Sequence, residues 1–337
     1  MNLWLILLPI LAVTLLVAFL VAPQDCRHRP PRSAQEVTRD VSFRALFKPQ
    51  PDHPYFDLVD VTTLTSRREN QQETEARRAL LCMEAAMLSY VTDESLVRKK
   101  LLQAGWTDIN FFHNGSTHAF LAANPESALL VFRGTEINNR EDLRTDINIL
   151  LQPHDAAGWI HRGFEEAYRL VDEELQKSIV ALRENYPDCK LTIAGHSLGA
   201  ALAVLAGAKL PQTEAVYSFG APRIGTRNFR NDYPVPVFRY VNNNDIVPLC
   251  LPPIFYRHVG ETRFIDFTGK LQRDTTIRDR AESRFIGHVE HAKQVFDHWG
   301  KGDWDAIPNG NFSDHAPINY VTPLREVLKQ MQQKNEG

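Results

Sequence analysis

The sequence predicts an α/β fold, with a mostly parallel central sheet, helices on both of its faces, and a separate apolar helix ahead of it. Three observations predict this. Strand-like and helix-like stretches alternate through the centre of the chain, the order that lays parallel strands side by side under covering helices. The composition, 43% hydrophobic and 23% charged over 337 residues, is that of a packed globular protein and too apolar for a disordered one. The first 22 residues differ in kind from everything after them. With 38 basic and 41 acidic side chains the formal net charge is −3, without the basic excess of a nucleic-acid binder. Cys26, Cys82, Cys189 and Cys250 lie far apart with no CxxC. That excludes a disulfide scaffold and a cysteine-based zinc site as organising principles.

Leu3–Ala22 carries no charge, and about 20 residues of helix cross the hydrocarbon core of a bilayer. Pro9 is an interruption that membrane helices tolerate. A cleaved signal peptide is the competing reading. It wants a basic start, an apolar run of roughly 7–15 residues and a small-x-small cleavage site. No Lys or Arg precedes this run, and the best site, after Ala22, puts Pro23 next. The expectation is an uncleaved transmembrane anchor over 1–22. Arg27, Arg29 and Arg32 follow it, and positive charge stays cytoplasmic, so the catalytic domain is expected in the cytoplasm. Signal cleavage would instead make the protein secreted or periplasmic. Residues 23–70, rich in Pro, Arg and Asp, read as a linker and irregular lead-in, and 71–330 has the length of one catalytic domain.

Within that domain Ala76, Leu80, Met83 and Met87 recur at helical spacing, which predicts a helix over 72–90. Thr117–Ala123 and Ala128–Phe132 flank the turn-like Asn124-Pro125-Glu126 and predict a hairpin. Phe164, Tyr168, Val171, Leu175, Ile179 and Leu182 fall three or four apart and predict a long amphipathic helix over 163–186. The short apolar run Leu191–Ala194 reads as a buried strand, and 200–210, rich in Ala and Leu, as the helix after it. Further strands are expected at 215–219, 235–241 and 263–267.

Gly195-His196-Ser197-Leu198-Gly199 matches G-x-S-x-G and sits between that strand and that helix, the context the motif requires. The reason is steric. A turn this sharp strains the serine backbone, and larger residues two before or two after would clash. The result lifts the Ser197 hydroxyl clear of the sheet, with a helix N-terminus behind it that favours negative charge. The plain alternative is a glycine-bracketed turn with an inert serine.

Residues 186–203, YPDCKLTIAGHSLGAALA, resemble the nucleophile region of the class 3 lipase family, whose members are α/β-hydrolases. Four more segments resemble that family in the same order. They are Val131-Phe132-Arg133-Gly134-Thr135, His161-Arg162-Gly163-Phe164, the run from Tyr217 to Gly225, and the run from Arg239 to Pro248. The resemblance covers about 75–265 and then thins to one Asp-His signature.

The resemblance implies a Ser-acid-His order. It makes Asp245 the acid, with Asp232 a weaker alternative, and the plain reading of Asp245 is a turn-former after three asparagines. It makes His315 the base, from the D-H-x-x-Y/F signature, although Tyr320 comes two residues later than usual and Pro317 intervenes. Among the other histidines after Asp245, His258 reads as structural, His298 as a second choice, and His288 and His291 as solvated side chains of an exposed helix. The oxyanion donors would be the N–H of Leu198 and, from the F-R-G-S/T block, Thr135. Thr135 also suits a helix N-cap. The segment from Thr135 to about Leu150 corresponds to the family's lid, and its dense charge suggests a polar cover with modest activation at interfaces. His161-Arg162-Gly163-Phe164 reads as structural, opening the long helix.

These residues together imply a serine ester hydrolase of the triacylglycerol lipase type. It would act on lipid acyl esters through an acyl-enzyme, with no metal or organic cofactor, and would meet the membrane through its N-terminal segment. A phospholipase A1, a small-ester carboxylesterase and a catalytically silent lipase-like scaffold are the alternatives.

Overall fold

Apolar residues at alternate positions of the central strands build two separate cores, and the helices are placed to cover them. The computed structural model describes residues 40–42, 51–65, 70–135, 151–154, 158–273, 275–301 and 310–336. Helices α1 (Gln71–Leu88) and α2 (Glu94–Gln103) lead into three antiparallel strands, β1 (Asp108–Asn114), β2 (Thr117–Ala123) and β3 (Ser127–Phe132). A two-stranded ribbon, β4 (Leu151–Pro153) with β5 (Trp159–His161), precedes the long helix α3 (Arg162–Asn185). Next come β6 (Lys190–His196), α4 (Leu198–Lys209), β7 (Thr213–Phe219), the short α5 (Arg227–Asn231), β8 (Val237–Asn242), β9 (Glu261–Ile265) and β10 (Leu271–Gln272). Helices α6 (Ile277–Gly300), α7 (Gly310–Ser313) and α8 (Pro317–Glu336) follow.

The main sheet has the order β1-β2-β3-β6-β7-β8-β9-β10. Neighbours from β3 through β9 run parallel, and both flanks are antiparallel. The expected α/β architecture is therefore present, while the apolar helix expected ahead of it lies outside the described residues. Among the described residues no helix is long and apolar enough to cross a membrane.

In β6, Leu191 and Ile193 face one core and Ala194 the other; in β7, Val216 and Tyr217 divide in the same way. The first core packs α1 and α8 against the sheet through Leu80, Met83, Leu324 and Leu328. The second packs α3 and α4 through Tyr168, Val171, Leu175, Leu202 and Leu205. Helix α4 is apolar almost all round because it is buried almost all round. Tyr55, Phe56, Val59, Val61 and Leu64, from the irregular lead-in, also join the first core.

The expected elements appear with boundaries that differ by up to two residues. Helix α2 and strand β1 were not anticipated from the sequence. Helix α2 buries only Val97 and Leu101, and β1 is half-exposed at the sheet edge, so neither carries a clear apolar period. His291 corrects an expectation: it is buried, with the α-carbon of Gly310 packed toward its ring, whereas His288 on the same helix is exposed.

Candidate active site

Ser197 caps β6 and opens α4 with φ 60° and ψ −129°. This is a left-handed conformation that costs a non-glycine residue about 1–3 kcal/mol and persists only where the surroundings enforce it. Two contacts enforce it. The Ser197 N–H donates to the Phe219 carbonyl at 2.9 Å, and its own carbonyl accepts from Ala200 N–H at 3.1 Å. The flanking glycines permit it. A methyl group on Gly195 would lie 2.2 Å from the Gly199 carbonyl oxygen, and one on Gly199 would lie 2.2 Å from that of Phe132.

His315 reaches this serine from the other end of the chain, from the turn between α7 and α8. Its Nε2 lies 2.9 Å from Ser197 Oγ and its Nδ1 lies 2.9 Å from Asp245 Oδ2. With Nδ1–H donated to the carboxylate, Nε2 presents a lone pair to the serine hydroxyl. Asp245 is fully buried, on the loop after β8. Its Oδ1 accepts Val247 N–H at 2.9 Å, and its Oδ2 also accepts the Tyr320 hydroxyl at 2.5 Å. Burial, with Asp245 alongside, pushes the Tyr320 phenol well above its usual range, so it stays an O–H donor. That hydroxyl also accepts Asn242 N–H at 3.1 Å. Gly220, with φ 60°, lets these groups meet: a methyl group there would lie 2.7 Å from Asp245 Oδ2 and 3.2 Å from His315 Cε1.

The three asparagines before Asp245 are a buried clamp on the histidine loop, and Asp245 is held within the site rather than serving as a plain turn-former. Asn242 Nδ2 donates to the carbonyls of Asp314 (2.9 Å) and Asn319 (3.1 Å). Asn244 N–H donates to Asp314 Oδ2 at 3.0 Å. Asn243 Oδ1 accepts the Ser283 hydroxyl at 2.9 Å, and its carbonyl accepts Arg284 Nε–H at 2.9 Å. Asn319 extends the net to residue 40, exchanging hydrogen bonds with its N–H and carbonyl. The two extra residues between His315 and Tyr320 lie in the first turn of α8, which begins at Pro317.

His196, the variable residue of the nucleophile motif, braces the base. Its Nε2 lies 2.9 Å from the His315 carbonyl and its Nδ1 2.9 Å from the Tyr90 hydroxyl. The two imidazoles pack with centroids 4.6 Å apart. Burial first, and then His315, hold His196 far below the usual imidazole range, so it stays neutral. Sequence reasoning missed His196, Tyr90 and the asparagine clamp, because none has a local signature.

Of the proposed oxyanion donors, Leu198 is the first residue of α4, where an N–H has no intrahelical acceptor. Gly134 stands against the same turn, and a methyl group on it would come 3.1 Å from Ser197 Cβ. Thr135 follows it, exposed, as the last described residue before 136–150. The lid expectation thus falls outside the described residues beyond Thr135. Asp232 ends α5, exposed, and His298 lies half-buried on α6. His258 donates its Nε2–H to the Pro248 carbonyl at 2.9 Å, as a structural histidine would. His161 caps α3 by accepting Phe164 N–H at 3.3 Å. Among the described residues no three His, Cys, Asp or Glu side chains are grouped to hold a metal ion.

Residues 129–255 match a sequence model of the family described as "Lipase (class 3)". A lipase of Rhizomucor miehei is 32% identical over 164 residues, 44% of this chain and 45% of that protein. A phospholipase A1-II 3 of Oryza sativa is 27% identical over 183 residues, 43% of each chain. The chain thus aligns with under half the length of these curated relatives. A solved structure described as a triacylglycerol lipase whose catalytic centre is a serine protease triad superimposes with TM-score 0.50 and 23% identity, over 64% of this chain and 91% of that one. That likeness speaks for the fold. Over residues 129–255 the chain carries the sequence of the class 3 lipase family, related to the fungal lipases, on a mostly parallel α/β sheet.

Proposed function

We propose that the protein is a serine hydrolase of lipid acyl esters. The observation that carries this reading is the unbroken hydrogen-bonded line from Asp245 through His315 to Ser197, ending on a serine held at positive φ. In this reading His315 takes the Ser197 proton as Oγ attacks the ester carbonyl. Asp245 holds the imidazole tautomer and stabilises the imidazolium. The oxygen that gains charge is received by the Leu198 N–H and by Thr135, each donor contributing on the order of 10²–10³ in rate. His315 then protonates the leaving alcohol. Water, activated by the same histidine, releases the acyl group from Ser197. No metal or organic cofactor enters these steps.

Triacylglycerols are the substrates we favour. A phospholipase A1 activity is the second reading, favoured by the likeness to the rice protein. A panel of triacylglycerol, phospholipid and soluble short-chain esters, run with wild type and Ser197→Ala, separates them. Hydrolysis confined to soluble esters would point to a carboxylesterase. A folded wild-type protein that hydrolyses none would leave a silent scaffold. We further propose that Leu3–Ala22 tethers the enzyme with its catalytic domain on the cytoplasmic side. The mass of the mature N-terminus tests this: loss of the segment would contradict the tether.

A further inference from the structure

A cavity of about 620 Å³, whose lining includes none of Ser197, Asp245 and His315, lies between β8, the start of β9 and the loop after Pro248, lined by Arg223, Arg230, Arg239, Arg257 and His258. Among the described residues no carboxylate lines it. Each arginine finds only neutral partners: Arg223 the carbonyls of Leu249, Cys250 and Leu251, Arg230 the Asn231 amide oxygen, Arg239 the Thr262 hydroxyl, and Arg257 the Tyr256 carbonyl. Neutral oxygens satisfy N–H groups without cancelling charge, so the cavity keeps four formal positive charges on a chain whose net charge is −3.

Two polar atoms there are orphaned. Arg239 is 8% exposed, and its Nε has no hydrogen-bond partner; neither has His258 Nδ1. A buried donor without an acceptor is costly, and here the donor belongs to a cation. Burial, with Arg280 and Arg223 nearby, lowers the Arg239 guanidinium to about 10. Burial and then Arg239 and Arg223 keep His258 well below the usual imidazole range. An anion in the cavity would give Arg239 Nε–H an acceptor and offset the repulsion among these cations.

The neighbouring loop supplies the second observation. It exposes Leu249 (49%), Ile254 (74%) and Phe255 (55%), whereas Pro253 and Tyr256 of the same loop line the cavity. The Arg223 guanidinium ties the two features together through its three loop carbonyls. Apolar side chains beside uncompensated cations match the chemistry of an anionic bilayer surface, where phosphate and acyl chain lie one above the other.

We propose that this face docks the protein on anionic phospholipid, with a headgroup phosphate in the arginine cavity and Ile254 and Phe255 among the acyl chains. The docking does not depend on the hydrolase reading, and it is measured without turnover. The full chain is floated with vesicles of phosphatidylcholine, with or without phosphatidylglycerol. Leu3–Ala22 is uncharged and common to every variant, so it favours neither vesicle. Wild type binds the phosphatidylglycerol vesicles more tightly, and Arg230→Gln with Arg257→Gln reduces that preference by about fivefold for each arginine removed. Ile254→Ser with Phe255→Ser weakens binding to both vesicles alike, on the order of tenfold. Equal thermal midpoints check the fold of each variant; if the arginine pair fails to fold, exposed Arg230→Gln alone carries the test. Equal binding of wild type to both vesicles, or full retention of the preference in the arginine variants, overturns the proposal. So does micromolar binding of inorganic phosphate with no gain from phosphatidylglycerol, which would make the cavity a site for a free anion.

Discussion

The nucleophile turn and the acid–base assembly meet at one hydrogen bond, yet they are built in opposite ways. Gly195–Gly199 is five consecutive residues whose shape follows from sterics within a strand, a turn and a helix. Asp245, His315 and Tyr320 come from segments as much as 75 residues apart and are held by a net of buried amides. The first region stores strain and resists it by backbone contact. The second has no positive φ at Asp245 or His315 and depends on buried hydrogen bonds between distant segments. The lesson is that added atoms damage the first region, whereas the second is damaged by removed atoms as well as by a methyl at Gly220.

The largest effect should fall on the chemistry of the second region. Asp245→Asn keeps the shape but no longer favours the imidazole tautomer with its lone pair toward Ser197, so kcat should fall on the order of 10⁴-fold with a small change in thermal midpoint. A comparable loss of stability would mean that the carboxylate is mainly structural.

Next comes Gly199→Ala. Its methyl would press on the carbonyl oxygen of Phe132, which is backbone and cannot rotate away. A loss of about 2–4 kcal/mol in denaturant unfolding is expected. An alanine tolerated within about 0.5 kcal/mol would show that the turn has more room than its geometry implies.

Tyr320→Phe removes only the hydroxyl, leaving Asn242 N–H without its acceptor and Asp245 Oδ2 with one donor fewer. About 1–3 kcal/mol of stability should be lost. The KM should hold while kcat drops, because the base is less firmly oriented.

The smallest effect is on pH dependence. Unfolded His196 binds a proton near about 6.5, whereas the folded residue, facing His315, Tyr90 and Tyr320, stays neutral far below that. The unfolded state therefore gains protons first, and stability falls as pH drops below about 6.5. His196→Asn removes this contribution, so its thermal midpoint should decline less on acidification than that of wild type. His258, depressed in the same direction, remains in both. Parallel declines would place the proton uptake elsewhere.

This contrast also explains what the sequence disclosed. The strand–turn–helix around Ser197 is a local steric problem, and period and glycine spacing are enough to read it. Helices α1, α3 and α4 carry apolar residues at turn spacing because each covers a core. Asp245 and His315 were legible only through likeness to a family, since nothing local distinguishes them from a turn aspartate and a surface histidine. The asparagine clamp, the Tyr320 hydroxyl on the acid and the Tyr90–His196 brace are properties of tertiary contact. Their residue types look like loop or core residues until the chain has folded. The arginine cavity was invisible for the same reason: its four cations lie apart in sequence and balance out in the net charge.

The central claim is that Ser197 is made nucleophilic by His315. The mass of the intact protein after exposure to a fluorophosphonate tests it directly. The account predicts one adduct per chain on the peptide containing Ser197, none in Ser197→Ala, and labelling slowed on the order of 10³-fold or more in His315→Gln. Folded wild type that takes up no label, or His315→Gln labelling at the wild-type rate, would contradict it.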